Sequence, residues 1–234
     1  MPQNAMVLAA GLGTRMRPLT EMLPKPLVMV GGRPLIDRTL DRFEEVGVEH
    51  VVINLHHKGG LLRSHLSGRL QPRLSFSDES ESLLDTGGGV AKALPLLGRA
   101  PFFVANGDAL WFDGYGNALR RMAGLFEPAA MDALLLLSPT VGAIGYRGLG
   151  DFFMQADGRL QRRQQTRAAP FVFTGVQLLA PDLFRACPQG AFSLNRLYDR
   201  AAESGRLFGL RHHGDFMAID TLEALAEAEA ALSL

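Results

Sequence analysis

A glycine-containing loop near the start of the chain has the composition of an anion site. Residues 8–16 read Leu-Ala-Ala-Gly-Leu-Gly-Thr-Arg-Met and include the end of a short apolar segment. Glycines at such a position let backbone N–H groups turn toward an anion, and Arg15 adds positive charge. The segment therefore predicts a phosphate-binding loop between a strand and a helix. An ordinary tight turn is the alternative, but it leaves Arg15, Arg17 and Lys25 without a role.

This loop matches neither of two common nucleotide-binding motifs. A dinucleotide-binding fingerprint has a third glycine at the position where this chain has Met16. A Walker A loop ends in Gly-Lys-Ser or Gly-Lys-Thr, and that ending is absent from the sequence. The pattern therefore disfavours an NAD-linked oxidoreductase and a P-loop enzyme.

Two further charged residues stand at positions that favour phosphate chemistry. Lys25 lies between Pro24 and Pro26, which stiffen the backbone, and lysine is rare in this arginine-rich chain. Asp108 follows the apolar segment 102–105, so its carboxylate is expected where open α/β sheets hold ligands. Hard carboxylate oxygens suit Mg²⁺ that is shared with phosphate oxygens. The alternatives are a solvated loop lysine and an aspartate in a plain turn.

A second glycine run, Gly87–Gly89, follows Thr86 and opens a predicted helix. Without Cβ atoms, these glycines offer a backbone surface that a planar base or a ribose can approach closely. An ordinary helix N-terminus with Thr86 as its cap is the alternative. The acidic residues just before the run are expected to be solvated loop charges: Asp78, Glu79 and Glu81.

Alternating apolar and amphipathic segments predict strand–helix–strand units and a parallel sheet. The first half has predicted strands at 5–9, 50–55, 74–76, 101–105 and 133–137, with helices at 34–46, 60–66, 90–97 and 115–126. Short segments at 143–146, 151–155 and 160–163 predict a small antiparallel excursion near 140–165. The last part has predicted strands at 171–179 and 207–210 and helices at 193–203 and 221–232. We expect residues 1–234 to form one α/β domain.

Composition excludes several classes of protein. Twenty-four basic and 24 acidic residues cancel, which argues against a nucleic-acid-binding protein. Hydrophobic residues make up 47% of the chain, enough for a full core. The single cysteine, Cys187, cannot form an intrachain disulfide and favours a reducing compartment. Neither a signal-like segment nor an apolar run of the roughly 20 residues of a membrane span is visible, so we expect a soluble, cytoplasmic protein.

The motifs of the chain resemble those of the sugar-1-phosphate nucleotidyltransferases over roughly residues 3–232. The resemblance rests on 8–16, Leu23-Pro-Lys-Pro-Leu27, Asn54, Leu84-Asp-Thr-Gly-Gly-Gly89, Asn106-Gly-Asp108 and Phe173-Thr-Gly175. It implies a Rossmann-like three-layer α/β/α fold, with a mostly parallel mixed sheet and a small antiparallel inserted lobe. It also implies that a nucleotidyl group passes from a nucleoside triphosphate to a sugar 1-phosphate, with Mg²⁺ as cofactor and pyrophosphate as the second product.

Within this family, the chain most resembles the branch that uses UTP and N-acetylmuramate 1-phosphate in peptidoglycan recycling. That resemblance rests on 84–89, on Gly150-Asp-Phe152 and on the short C-terminus. The mannose-1-phosphate guanylyltransferases are the nearest neighbours of this branch. The implied partners are therefore UTP and a sugar 1-phosphate, with neither nucleic acid nor a membrane.

The resemblance also implies roles for individual residues. Those expected at the nucleotide are Leu8, Ala10, Gly11, Gly13, Thr14, Arg15, Lys25, Asn54, Thr86, Gly87 and Gly88. Those expected at the sugar phosphate are Asn106, Asp151, Thr174 and Gly175. The implied catalytic residues are Arg15 at the departing pyrophosphate, Lys25 at the α-phosphate and Asp108 as a metal ligand.

One part of the family pattern is missing. The family commonly carries an acidic residue before the last helix, and this chain has Ala218 at that position. Asp220 lies two residues on, and alternate residues of an extended segment share a face. Asp220 can therefore supply the second metal ligand, or it can merely cap the last helix. The missing acid also leaves open a catalytically impaired regulator that binds a nucleotide or a nucleotide sugar.

Overall fold

The computed structural model describes residues 1–233, in which strands and helices alternate along most of the chain. The strands are β1 Asn4–Leu8, β2 Met29–Val30, β3 Arg33–Pro34, β4 His50–Leu55, β5 Arg73–Asp78, β6 Phe102–Asn106, β7 Ala109–Trp111, β8 Ala133–Pro139, β9 Phe152–Met154, β10 Leu160–Arg162, β11 Phe171–Leu179, β12 Leu207–Arg211 and β13 Phe216–Ala218. The α-helices are α1 Leu19–Met22, α2 Leu35–Glu45, α3 Gly59–His65, α4 Asp85–Leu97, α5 Ala118–Leu125, α6 Asn195–Glu203 and α7 Leu222–Leu232. Short 3₁₀ turns cover Thr14–Met16, Lys25–Leu27, Leu66–Gly68 and Pro181–Phe184.

Most of the strands belong to one mixed sheet, whose path runs β10-β9-β11-β6-β1-β4-β5. The other edge of β11 pairs with β8, and β8 pairs in turn with β12. Strands β5, β4, β1 and β6 are parallel to one another, and β12 is parallel to β8. Strand β11 lies between these two groups and is antiparallel to both β6 and β8. The sheet confirms the predicted α/β class with a mostly parallel mixed sheet.

Helices cover both faces of this sheet. On one face, α2, α3 and α5 pack through residues such as Ile36, Leu62 and Leu119. On the other face, α4 and α6 pack through residues such as Val90 and Leu197. Every residue of β4 is buried, as expected for a parallel strand covered on both sides. These layers form the predicted three-layer α/β/α fold. Among the described residues, no helix combines the length and apolar character needed to cross a bilayer.

The predicted antiparallel excursion is present but smaller than expected. Strands β9 and β10 form an antiparallel hairpin that pairs with the start of β11. The predicted strand at 143–146 is wrong, because Ile144 makes only an isolated bridge with Met217 in an irregular segment. Gly142 and Gly145 have φ angles of +102° and +74°, which interrupt an extended backbone.

A separate two-stranded pairing, which the sequence did not indicate, positions the end of the chain. Strand β13 runs antiparallel to β7, and Ala218 lies opposite Ala109. Because Ala109 directly follows Asp108, the pairing brings the residues after Ala218 close to the carboxyl edge of the main sheet. Each strand has three residues, too few for an alternating pattern to be recognised.

The last helix is capped by Thr221 and not by Asp220. Helix α7 begins at Leu222, and the Thr221 hydroxyl accepts a hydrogen bond from the Ala224 N–H at 3.1 Å. The interpretation of Asp220 as a helix cap is therefore wrong. Its carboxylate accepts a hydrogen bond from Lys25 instead.

We expect Thr221→Ala to lower the free energy of unfolding by about 1 kcal/mol, because it removes the acceptor that caps α7. Thr221→Ser is the matched comparison, since serine keeps a hydroxyl acceptor for the Ala224 N–H. Denaturant unfolding of the two variants measures the difference. An equal loss of stability in Thr221→Ser would contradict the assignment of the cap to the Thr221 hydroxyl.

Candidate active site

A cavity of about 560 Å³ opens at the carboxyl ends of β1, β4 and β6, the edge at which open α/β sheets hold ligands. Most of the predicted nucleotide and metal residues line it: Leu8, Ala10, Gly11, Gly13, Thr14, Arg15, Lys25, Asn54, Thr86, Asp108 and Asp220. Asn106, predicted for the sugar phosphate, lines it as well. The lining also includes residues to which the sequence assigned no individual role: Ala9, Leu12, Pro26, Leu83, Asp85 and Gly107. The volume is in the range of small-molecule sites.

The glycine loop after β1 forms one wall of the cavity. Gly13 has a φ of +62°, and a Cβ at this position would lie 2.9 Å from Thr20 Cγ2. The Thr20 hydroxyl donates to the Gly13 carbonyl at 2.8 Å and fixes the end of the loop. Within residues 1–233, the N–H groups of 11–14 donate to no backbone carbonyl. They are therefore available to a bound anion.

Lys25 is at the centre of the charged cluster in this cavity. It begins a 3₁₀ turn after Pro24, and its side chain is only 11% exposed. Its ammonium group donates to Asp108 Oδ2 at 2.5 Å and to Asp220 Oδ1 at 2.8 Å. Burial by itself lowers the pKa of Lys25, but the two carboxylates outweigh burial and raise the pKa above its ordinary value of 10.5. Lys25 is therefore a fixed positive charge at neutral pH.

Arg15 supplies a second positive charge in a different setting. Its guanidinium group lies 3.0 Å from Asp220 Oδ1, and its side chain is 68% exposed. An exposed ion pair of this kind is weak, so little free energy is needed to redirect the guanidinium group toward a phosphate. Lys25 thus has one fixed position, whereas Arg15 is free to follow a ligand.

Asp108 and Asp220 fit the donor set for a metal ion shared with phosphates. Their carboxylates converge on one ammonium group, and the side chains remain 30% and 36% exposed. No group of three or more His, Cys, Asp or Glu side chains that could hold a metal occurs in the part of the chain that the structure describes. Two carboxylates suit Mg²⁺ whose other ligands are phosphate oxygens and water. Asp220, and not Ala218, supplies the second carboxylate of this cluster.

A buried polar pair lies at the floor of the cavity. Asn54 accepts a hydrogen bond from the Ala9 N–H at 2.6 Å and donates one to Glu79 Oε1 at 2.7 Å. Glu79 is 2% exposed, so the expectation of a solvated loop charge is wrong for this residue. Strand β5 extends as far as Asp78 through its pairing with β4, which brings Glu79 to the sheet edge beside Asn54. Asp78 and Glu81 are exposed, as expected.

The second glycine run packs against protein. Helix α4 begins at Asp85, so Gly87 and Gly88 lie in its first turn. A Cβ on Gly87 would lie 2.3 Å from the ring of Phe192, and one on Gly88 would lie 2.3 Å from the Gly190 carbonyl oxygen. Both glycine N–H groups donate to the Phe192 carbonyl. Close packing accounts for these two glycines, neither of which lines the cavity, and their contact with a nucleotide stays a prediction.

Of the residues predicted for the sugar phosphate, Asn106 lines the cavity and Gly175 packs against Asn106, whereas Asp151 and Thr174 are not among the lining residues. Gly175 has a φ of +83°, and a Cβ there would lie 2.9 Å from Asn106 Nδ2. The Thr174 hydroxyl donates to a backbone carbonyl of β8 at 2.9 Å. Asp151 accepts a hydrogen bond from the Phe173 N–H, but burial outweighs this contact and raises the pKa of Asp151. Contact between these three residues and a sugar stays a prediction.

Three lining residues, Leu12, Leu83 and Asp85, had no role assigned from the sequence. Leu12 and Leu83 are 42% and 36% exposed, so each has apolar surface available for packing. Asp85 has a φ of +57°, an unusual conformation for a residue with a side chain. Such conformations cluster at functional sites. Leu12 and Asp85 lie within the motifs at 8–16 and 84–89, whereas Leu83 lies outside the motifs.

Comparisons with known proteins agree with this geometry. A family model described as nucleotidyl transferase matches residues 4–140. The chain is 43% identical to an N-acetylmuramate alpha-1-phosphate uridylyltransferase from Caulobacter vibrioides, over 99% of this chain and 98% of that protein. It is 33% identical to a protein of the same name from Neisseria meningitidis serogroup B, over 97% of each chain. The solved structure of UDP-glucose pyrophosphorylase complexed with UDP-glucose has the same fold, with a TM-score of 0.80 and 18% identity over 100% of this chain and 99% of that chain.

Proposed function

This chain belongs to the nucleotidyl transferase family, and we propose that it transfers the uridylyl group of UTP to N-acetylmuramate α-1-phosphate. The products are pyrophosphate and UDP-N-acetylmuramate, a nucleotide sugar for peptidoglycan recycling. The observation that carries the reaction is the convergence of Lys25, Asp108 and Asp220 beside the free N–H groups of the glycine loop. The choice of UTP and of the sugar rests on the two uridylyltransferase relatives.

The proposed reaction is an in-line displacement at phosphorus. A phosphate oxygen of the sugar 1-phosphate forms a bond to the α-phosphorus of UTP. The bond between that phosphorus and the oxygen leading to the β-phosphate breaks, and pyrophosphate leaves with the electron pair. Both reactants arrive charged, so the protein has to align them and stabilise developing charge rather than supply a nucleophile.

In this proposal, the glycine loop, Lys25 and Arg15 each bind a different part of the triphosphate. The free N–H groups of 11–14 bind the triphosphate. Lys25 is held in one position and neutralises charge that develops at the α-phosphate. Arg15 is exposed and weakly held, so it suits the phosphates that depart as pyrophosphate.

The charge balance of the cluster supports a divalent cation. Asp108 and Asp220 cancel the charges of Lys25 and Arg15, so the four side chains leave the triphosphate uncompensated. Sugar nucleotidyltransferases generally depend on a metal ion, and we propose Mg²⁺ with Asp108 and Asp220 as its protein ligands. The bound ion would neutralise phosphate charge and orient the triphosphate.

We expect pyrophosphate release only when both substrates and Mg²⁺ are present, and the highest rate for UTP with N-acetylmuramate 1-phosphate. The measurement is a matrix of UTP, GTP, CTP and ATP against sugar 1-phosphates, with EDTA as the metal-free control. A highest rate for GTP with mannose 1-phosphate would replace the proposed substrates and keep the reaction class. Tight UTP binding without turnover of any pair would instead favour the catalytically impaired regulator.

A further inference from the structure

The Glu79 carboxylate is buried, and its two oxygens serve two different elements. Oε1 accepts a hydrogen bond from Asn54 Nδ2 at 2.7 Å, and Oε2 accepts one from the Leu84 N–H at 3.1 Å. Both donors are uncharged, although burial of a carboxylate is costly unless it is well compensated. Glu79 does not line the cavity, so its role has to be exerted through the residues it holds.

Each of these hydrogen bonds leads to a different wall of the nucleotide cavity. Asn54 accepts the Ala9 N–H at 2.6 Å, and Ala9 begins the glycine loop. Leu84 lies between Leu83 and Asp85, which line the opposite wall. One carboxylate therefore connects the loop that faces the phosphates with the segment that opens α4.

The hydrogen bonds form a chain with a fixed direction. The Ala9 N–H can only donate, so the amide oxygen of Asn54 faces it and the amide NH₂ faces Glu79. Glu79 thus meets two donors, one from Asn54 and one from Leu84. A carboxylate accepts both, whereas a carboxamide of the same shape has one acceptor oxygen and one NH₂ group.

The third glycine of the run near the start of α4, Gly89, is independent evidence for the same arrangement. A Cβ on Gly89 would lie 2.8 Å from Glu79 Oε1 and 3.0 Å from Asn54 Nδ2. Any side chain at this position would therefore push the pair apart. The Glu79 backbone is also fixed, because its N–H donates to the Leu55 carbonyl at 2.7 Å.

We propose that Glu79 is a positioning residue, which sets the spacing between the glycine loop and the segment at 83–86 and so determines nucleotide affinity. The proposal rests on the proposed nucleotide-binding role of the cavity. The contacts of Glu79 are with Asn54 and Leu84, on the proposed nucleotide side. Of the predicted sugar residues, Asn106 ends β6, Asp151 precedes β9, and Thr174 and Gly175 lie in β11, so none of them is hydrogen-bonded to Glu79. Loss of this chain of hydrogen bonds should therefore weaken nucleotide binding and leave binding of the sugar phosphate unchanged.

We expect Glu79→Gln to raise the Kd of the nucleoside triphosphate about tenfold, as for one lost hydrogen bond to a buried donor, and to leave the KM of the sugar phosphate unchanged. Calorimetric binding and steady-state kinetics measure the two constants. The probe is whichever nucleoside triphosphate the wild-type chain binds most tightly, so an error in the proposed base does not affect the test. Glu81→Gln is the control, because Glu81 is exposed on the same turn.

A double variant tests the donor-to-acceptor order of this chain of hydrogen bonds. Asn54→Asp combined with Glu79→Gln keeps one negative charge and restores a partner for every donor. The new carboxylate accepts from the Ala9 N–H and from the new carboxamide, whose oxygen accepts from the Leu84 N–H. Asn54→Asp alone places two carboxylates in contact, so we expect it to bind the nucleotide more weakly than wild type. We expect the double variant to bind more tightly than Asn54→Asp alone.

The results separate positioning from general loosening of the fold. A nucleotide Kd unchanged in Glu79→Gln overturns the proposal, as does an equal rise in the nucleotide Kd and the sugar-phosphate KM. A double variant that binds the nucleotide no more tightly than Asn54→Asp alone also overturns it, because these two proteins share the change at the cavity wall. This comparison also replaces the first one if Glu79→Gln is too unstable to purify.

Discussion

Asp108→Asn is expected to lower kcat by about two to three orders of magnitude while leaving the fold intact. Asparagine keeps the size of the side chain and an oxygen that can accept the hydrogen bond from Lys25. It removes the negative charge with which Asp108 would hold Mg²⁺ at the triphosphate. The loss should therefore arise from charge and not from altered packing.

Initial rates of pyrophosphate release over a series of Mg²⁺ concentrations measure this effect. We expect the apparent KM for Mg²⁺ to rise in Asp108→Asn and the unfolding midpoint to fall only modestly, because Asp220 still pairs with Lys25. Asp182→Asn is the matched control, because Asp182 is exposed and pairs with Arg185 outside the cavity. A kcat within about threefold of wild type in Asp108→Asn would remove Asp108 from the metal site.

The elements that sequence patterns predict best are those whose pattern is local and long. The predicted strand at 50–55 coincides with β4 and that at 171–179 with β11, since both are apolar runs in or beside the centre of the sheet. The strands β7 and β13 were missed because their three-residue pairing depends on contact between distant parts of the chain. Without that pairing, the sequence could not decide between Asp220 as a cap and Asp220 as part of the cluster.

Helix α4 shows how tertiary packing overrides local propensity. The helix was predicted at 90–97, just after three consecutive glycines, which disfavour helical structure. The structure begins it at Asp85, because Gly87 and Gly88 donate to the Phe192 carbonyl and have no room for side chains. The partner segment lies about a hundred residues away, so no local pattern could have revealed it.

The residues of the candidate site also differ in how well the sequence predicts them. Motif residues close to a strand end, such as Lys25, Asn54 and Asp108, were predicted and all line the cavity. Burial of Glu79 was not predictable, because it depends on Asn54 across the β4–β5 pair and on the space left by Gly89. Sequence patterns identify the groups that face the ligand better than the buried groups that hold them.

Lys25→Met is expected to lower kcat about a hundredfold or more, because it removes the fixed charge proposed to act at the α-phosphate. Methionine has a similar length, so the apolar stem of the side chain keeps its packing. Lys25→Arg should not restore the rate, since a planar guanidinium group doesn't fit the compact position that Asp108 and Asp220 share at 2.5 and 2.8 Å. Lys92→Met is the control, because Lys92 is exposed on α4.

The pH dependence of the rate lost in Lys25→Met distinguishes a fixed positive charge at Lys25 from a proton donor. The raised pKa of Lys25 lies above 10.5, so the rate ratio between wild type and Lys25→Met should stay constant from about pH 7 to about pH 9. The ion pairs of Lys25 stabilise the fold fully below its ordinary pKa and are lost only as the pH rises through the raised value. The stability difference between the two proteins should therefore begin to shrink only in strongly alkaline solution. A rate ratio that falls steadily between neutral pH and about pH 9 would mean that Lys25 loses its proton there, which two carboxylates in direct contact with its ammonium group oppose.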